Sequence, residues 1–309
     1  MFILFSLISC IIVTLTGFQY GLGETFVGLT ILYNTDKCVS AFCSGTGLAG
    51  IVGYGWNIFF LQVLEMDLQG TLLVANILVA MWFYVCIVVL QVQKLSPTKV
   101  IQQVRGASIK KRRRSSPMVI IRPLTQIPMT SQEKFQTVCS LWPYMSPLFL
   151  TYACQYCMQS GMWASIGFPI TDVDSRNAFY VYANWSYQLG SFMARTSGLW
   201  FSLPVNAVWA LSLLQAMFAI FFELVVKTTF ISDWSLLFFS WWVGMNGGLV
   251  FVNAFKLIAN DLPPQKAEMS LTTAPIAKAT GVITGTVMGL FVQCDAYKQY
   301  GIPGSAISC

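Results

Sequence analysis

The chain has 309 residues, of which 56% are hydrophobic and only 10% charged, with a formal net charge of +6 and a mean hydropathy of +0.64. A soluble domain carries about 25% charged residues, so this chain lacks the polar surface to coat a water-facing globule, and its solvent is read as lipid. It contains no histidine, which removes Ser-His-Asp and Cys-His chemistry, most zinc sites and any histidine proton relay; proton coupling would fall to carboxylates.

A membrane-spanning helix needs about 20 mainly apolar residues. The first qualifying segment, 5–33, is long for one span, and tilt or a break near Gly21-Leu22-Gly23 would absorb the excess. It exceeds a signal peptide in length and lacks a basic leader, so it is expected to remain as a helix. Segments 40–63 and 70–93 follow. Gly45-Thr46-Gly47-Leu48-Ala49-Gly50 fits G-x-G-x-x-G, but no strand precedes it, so the dinucleotide reading is rejected. Gly47, Gly50 and Gly53 instead allow close helix approach, as do Gly17/Gly21 and Gly244/Gly248 in G-x-x-x-G spacing.

Ten of the 18 Lys and Arg residues then fall in one stretch: Lys94, Lys99, Arg105, Lys110, Lys111, Arg112, Arg113, Arg114, Arg122 and Lys134. Between apolar segments, such a run marks a cytoplasmic loop, here 94–135, expected to be disordered and read against nucleic-acid binding. Five more spans are expected at 136–160, 177–201, 204–226, 233–258 and 267–292. The domain plan is a partial N-terminal lobe, 1–93, the basic loop, 94–135, and a C-terminal lobe, 136–309. With the loop cytoplasmic, alternation places 64–69, 161–176 and the tail 293–309 on the luminal side. Cys154 and Cys157 form a lone C-x-x-C without a second pair, and all nine cysteines are read as structural. Asn184-Trp185-Ser186 is a glycosylation sequon in form, but it lies inside a span.

Charge at a bilayer centre costs about 2.5–3.5 kcal/mol on insertion scales and usually faces the protein interior. Glu24 and Lys278 lie deepest. Glu24 is the candidate coupling carboxylate, with Lys278 its partner or an anion contact. Polar stripes run along several spans: Thr16, Tyr20 and Glu24; Thr151, Gln155 and Gln159; Asn184, Gln188, Ser191 and Arg195; Asn246, Asn253 and Lys256. One stripe is interhelical hydrogen-bonding glue; four together are read as the lining of a central cavity, formed by Glu24, Gln155, Gln188, Arg195, Asn253 and Lys278. Arg195 and Lys256 lie near helix ends, where a functional role and simple snorkelling are both open. Glu223 and Lys227 are expected to pair on a helix surface. No nucleophile–base or metal constellation is present, so neither an enzyme nor a cofactor is expected.

Several blocks together resemble the battenin family: Gly21-Leu22-Gly23-Glu24, Ser44 to Gly50, Tyr152 to Gly161, Tyr187-Gln188-Leu189-Gly190 with Ala194-Arg195-Thr196-Ser197, and Gly247 to Asn253. The resemblance implies an all-α membrane protein with a major-facilitator-like helical bundle of about eleven spans in two lobes, of which about eight are present here. It implies a late endosomal, lysosomal or vacuolar membrane. The roles it implies are organelle pH homeostasis, handling of basic amino acids and export of glycerophosphodiesters, with a small polar solute as partner beside the bilayer and protons as a further candidate. The chain departs from the family in carrying three spans before the basic loop where about six are expected. It also has Lys278 where an acid is expected, and no dileucine signal in the loop. A different class remains open: a membrane scaffold whose basic loop recruits a cytosolic protein or anionic lipid.

Overall fold

The computed structural model describes residues 35–85 and 130–305, and among these the backbone is helical with no strand. The elements are α1 (Thr35–Asn57), continued by a π-helical turn at Ile58–Val63, and α2 (Leu68–Tyr84). After the undescribed stretch come α3 (Ser131–Ser140) and α4 (Trp142–Cys157), the latter running on through a π segment at Met158–Met162 and a 3₁₀ turn at Trp163–Ser165. Helices α5 (Val173–Ser197), α6 (Val205–Thr228), α7 (Leu236–Asp261) and α8 (Pro264–Gln299) complete the bundle. The expected span 5–33 and nearly all of the basic loop lie outside the described residues.

Among the described residues, four helical stretches are long and apolar enough to cross a membrane: Lys37–Leu61, Val205–Thr228, Leu236–Asp261 and Met269–Tyr300. Their surfaces agree with a lipid solvent. On α6, Leu213, Met217, Ile220 and Leu224 form one exposed apolar stripe, and on α8 Ile276, Ile283, Val287 and Phe291 do the same. Contiguous apolar faces of this kind are rare on soluble monomers.

The helix ends differ from the expected spans by a few residues, as in α5, expected at 177–201, and α7, expected at 233–258, and two differences are larger. The expected span 136–160 breaks at Leu141, where Pro143 enters the first turn of α4; proline supplies no N–H and disfavours a helical residue before it. Helix α3 is a separate short element, started by a capping box in which Thr130 and Glu133 exchange hydrogen bonds. These bonds, from the Thr130 backbone and then its side chain, hold the Glu133 carboxyl below its usual range. The last helix, expected at 267–292, begins at Pro264 and extends to Gln299. The start of α5 is set by Asp172, whose carboxylate accepts the Ser175 N–H at 3.0 Å.

Helix α7 is the centre of the bundle, touching α1, α4, α5, α6 and α8. Its tightest neighbour is α5. A Cβ at Gly244 would overlap the Tyr187 backbone, one at Gly248 the Ser191 carbonyl, and one at Gly190 the Trp241 carbonyl. The expected G-x-x-x-G contact is therefore present, with α5 answering it through its own glycine. A second set joins α8 to α4: Gly281 faces Phe149, Gly285 faces Ala153, and Gly289 faces Cys157 and Gly161. Helix α1 lies antiparallel to α5. Ser40 meets Gly198, Ser44 meets Thr196, Gly47 sits on Phe192 and Arg195, Gly50 on Gln188, and the Tyr54 ring lies tilted against Trp185 at 5.8 Å. Gly53, expected in this contact, faces open space.

Cys38, Cys43, Cys139, Cys154 and Cys157 are free thiols, while Cys294, near the end of α8, is disulfide-bonded. The glycine contacts generate a paired prediction. Gly244→Ala should cost several degrees of melting temperature or prevent folding, because its new methyl would meet backbone. Gly53→Ala should be neutral or stabilising by up to about 1 kcal/mol. Thermal unfolding in detergent measures both, and equal effects would contradict the packing described.

Candidate functional site

The site is built where α1, α4, α5, α7 and α8 meet. Arg195 lies in the last turn of α5, but α1 crosses α5 at Gly47, whose added Cβ would come within 3.2 Å of the Arg195 Cδ. The side chain is held between helices and is 9% exposed. Its Nη1 donates to Thr46 Oγ1 at 3.0 Å and its Nη2 to the Tyr152 hydroxyl at 3.1 Å. The guanidinium lies 4.4 Å from the Phe251 ring centroid.

Lys278 reaches the same pair of rings from α8. It is 3% exposed, and its Nζ lies 5.3 Å from the Tyr152 ring centroid and 5.4 Å from that of Phe251. The two rings meet edge to face at 6.2 Å. Lys278 stands about 21 Å along α8 from Pro264 at 1.5 Å per residue, well inside the helix. Two cations from α5 and α8 thus flank one aromatic pair supplied by α4 and α7. Desolvated cation–π contacts are worth about 2 kcal/mol, which offsets part of the burial cost of each charge.

One turn along α4, Gln155 is 1% exposed and fills the notch at Gly247. Its Oε1 accepts from the Tyr187 hydroxyl at 3.1 Å, and its Nε2 donates to the Val243 carbonyl at 3.4 Å. Gln188, half-buried, lies against Gly50 of α1. At the level of α6, Thr151 donates to Ser212 at 2.9 Å, and Asn246 donates to Gln215 at 2.6 Å.

Asn253 lies away from this centre. Its Oδ1 accepts the Leu203 N–H at 2.7 Å and its Nδ2 donates to the Leu249 carbonyl at 2.8 Å, fixing the α5–α6 loop. Lys256 does not snorkel: it is buried and donates to the Gly198 and Phe201 carbonyls at 2.7 and 3.2 Å. A cation there satisfies the carbonyl end of α5 and its dipole.

Of the six residues singled out in the sequence, the structure brings Arg195 and Lys278 together, with Gln155 one turn away. Gln188 sits on the α1 side, Asn253 serves the loop, and Glu24 lies outside the described residues. Thr46, Tyr152 and Phe251 were not singled out, since Tyr and Phe in apolar helices read as core. Tyr152 does adjoin Thr151 at the start of the α4 polar stripe. The expected Glu223–Lys227 pair is present at 2.8 Å, and Asp295 approaches Lys227 at 3.7 Å. Among the described residues no group of His, Cys, Asp or Glu could hold a metal ion.

Hydrogen bonds to a charged group contribute about 1.5–3 kcal/mol. Tyr152→Phe and Thr46→Val should each therefore lower the melting temperature by several degrees. In an Arg195→Met background the same replacements should have much smaller effects. Thermal unfolding of the four-way set measures this, and equal losses in both backgrounds would show that Arg195 is not their partner.

A family model described as CLN3 protein matches residues 3–296. Among curated proteins, the chain is 27% identical to Protein btn1 of Aspergillus fumigatus, with 94% of this chain and 69% of the relative covered. It is 26% identical to Protein BTN1 of Yarrowia lipolytica, covering 91% of this chain and 71% of the relative. Against Protein BTN1 of Eremothecium gossypii it is 25% identical, covering 95% and 77%. No solved structure matches. The motif blocks around Glu24, Gly47, Gln155, Arg195 and Asn253 fall within the matched region, and the chain belongs to the CLN3, or battenin, family of membrane proteins.

Proposed function

We propose that this chain acts in transport of a small anionic solute across a lysosomal, late endosomal or vacuolar membrane, with the solute held at Arg195 and Lys278. The observation that carries this reading is the convergence of two buried cations on the Tyr152–Phe251 pair. Two like charges brought to one pair of rings make this the most electropositive buried point among the described helices, and an anion held between them would draw on both. Of the two solute classes implied by the battenin resemblance, the geometry favours glycerophosphodiesters, whose phosphate is anionic, over basic amino acids, which two cations repel.

In this reading the solute is bound near the midplane between two lobes that rock around it. Gln155 and Gln188 line the approach, and Asn253 keeps the α5–α6 loop in place at the cytoplasmic end. Glu24 is the coupling carboxylate, linking solute movement to protons and so to organelle pH. The disulfide at Cys294 supports a luminal end for α8, because disulfides persist in oxidising compartments. The acidic residues Asp172, Asp174, Asp233 and Asp295 gather at that same end. The Tyr297 hydroxyl reaches the Ala164 carbonyl and the Tyr300 hydroxyl reaches the Val226 carbonyl, which brings the ends of α4, α6 and α8 together there.

The test is uptake by the full chain in liposomes, comparing glycerophosphoglycerol with lysine. Arg195→Gln and Lys278→Gln should each lower glycerophosphoglycerol uptake by at least about tenfold, as expected for loss of a charged hydrogen bond. Glu24→Gln should leave uptake but flatten its pH dependence. Preference for lysine, or anion uptake unchanged in both cation variants, would overturn the reading.

A further inference from the structure

One helix, at the end of the bundle that the basic run marks as cytoplasmic, is unlike the spans. Helix α3 is 10 residues long, well short of the about 20 that a span needs. Its inner side is fixed: Thr137 and the C-cap Leu141 are buried, and the helix packs against α4 and α8. Its outer side is apolar and open. Phe135 is 70% exposed and Trp142, just past the cap, is 62% exposed, with the exposed Cys139 between them. Spacing of i, i+4 and i+7 places these three on one helical face, and the exposed Gln136 and Ser140 lie beside it.

That face continues beyond α3. The Trp142 ring lies tilted against Trp209 of α6 at 6.1 Å. Trp209 is one turn before Leu213, where the exposed apolar stripe of α6 begins, so the lipid-facing surface of α6 extends onto α3. Trp200 and Phe201, in the α5–α6 loop, are also exposed at this end. The Tyr144–Asp261 and Ser40–Gly198 hydrogen bonds bring α4 and α7, and α1 and α5, together there. Tryptophans gathered at one level of a bundle mark the headgroup layer.

The charge at this end favours anions. Lys37, Lys134 and Lys266 are exposed. Glu133 is engaged by the Thr130 N–H and hydroxyl at 2.8 and 3.0 Å, and Asp261 accepts the Tyr144 hydroxyl at 2.8 Å. Positions 94–129, which lead into α3, carry nine basic residues and no acidic one. An apolar helix face edged by cations is the pattern of a helix lying in the interface plane, sunk about 5–10 Å and drawn to anionic lipid.

We propose that α3 is an interfacial anchor for anionic phospholipid. Phe135, Cys139 and Trp142 enter the headgroup layer, and Lys134 with the adjoining basic run binds the negative headgroups around them. This anchor is independent of the Arg195–Lys278 centre and of any solute held there.

The test is hydrogen–deuterium exchange over residues 131–142 in the full chain, in nanodiscs of phosphatidylcholine alone or mixed with phosphatidylserine. Phosphatidylserine should slow exchange across α3 at least about fivefold, the factor expected for one basic residue near an anionic surface. Molar salt should remove that gain. Lys134→Gln should shrink the gain, whereas Phe135→Ser with Trp142→Ser should speed exchange in both lipids. These three side chains are exposed, so the changes leave the core intact; should a variant still fail to fold, the wild-type lipid and salt series decides alone. Equal exchange in the two lipids, a gain that survives molar salt, or an unchanged Phe135/Trp142 double variant overturns the proposal. Protection by soluble polyglutamate equal to that by phosphatidylserine also overturns it, and assigns the surface to an acidic protein.

Discussion

The close approach of α5 and α7 through Gly190, Gly244 and Gly248 is the constraint on which the rest of the bundle depends. In lipid there is no hydrophobic drive between apolar helices, so association relies on van der Waals contact and hydrogen bonds, both of which need backbones close together. With α5 pressed against α7 on one side and α1 on the other, Arg195 cannot turn outward to the headgroups. It is obliged to find Thr46, Tyr152 and Phe251 within the protein. The glycines at 281, 285 and 289 do the same for α8 against α4, which brings Lys278 over Tyr152. Small residues at helix crossings thereby fix the position of the two buried charges.

The polar residues of the bundle divide into two kinds by what closes their hydrogen bonds. Asn253, Lys256, Ser40 and Thr151 are closed by the protein itself, largely on backbone carbonyls at helix ends and crossings. They hold helices together and cap their termini, a task water performs in a soluble protein. Arg195 and Lys278 add to such partners a shared aromatic platform, each placing its positive charge against the Tyr152–Phe251 pair.

Much of the fold was legible from hydropathy and spacing. The Gly244/Gly248 contact, the Glu223–Lys227 pair and the helical character of each described apolar segment follow from period and composition, and the family resemblance rests on blocks that the family model spans. The break at Leu141 is hidden in the sequence because the run 136–160 carries no charged residue, although Pro143 holds the signal. The α8 glycines at 281, 285 and 289 also repeat at the four-residue spacing of a close helix contact. The polar stripes could not be resolved by periodicity alone. Spacing shows which face is polar, but not whether that face meets water or the carbonyls of another helix. Only three-dimensional packing separates Asn253, which holds a loop, from Arg195, which meets Lys278 across two rings. Tyr152 and Phe251 were hidden for a related reason: an aromatic in a membrane helix is ordinarily core or interface, and its use as a platform for cations depends on what two other helices place over it.

In the proposed function Arg195 and Lys278 form one anion-binding centre. The most direct measurement is a single-particle structure of the full chain in lipid nanodiscs with saturating glycerophosphoglycerol. The account predicts phosphate density within hydrogen-bonding reach of both Arg195 and Lys278, beside the Tyr152–Phe251 pair. Solute density elsewhere in the bundle, with the two cations still packed as described, would contradict it.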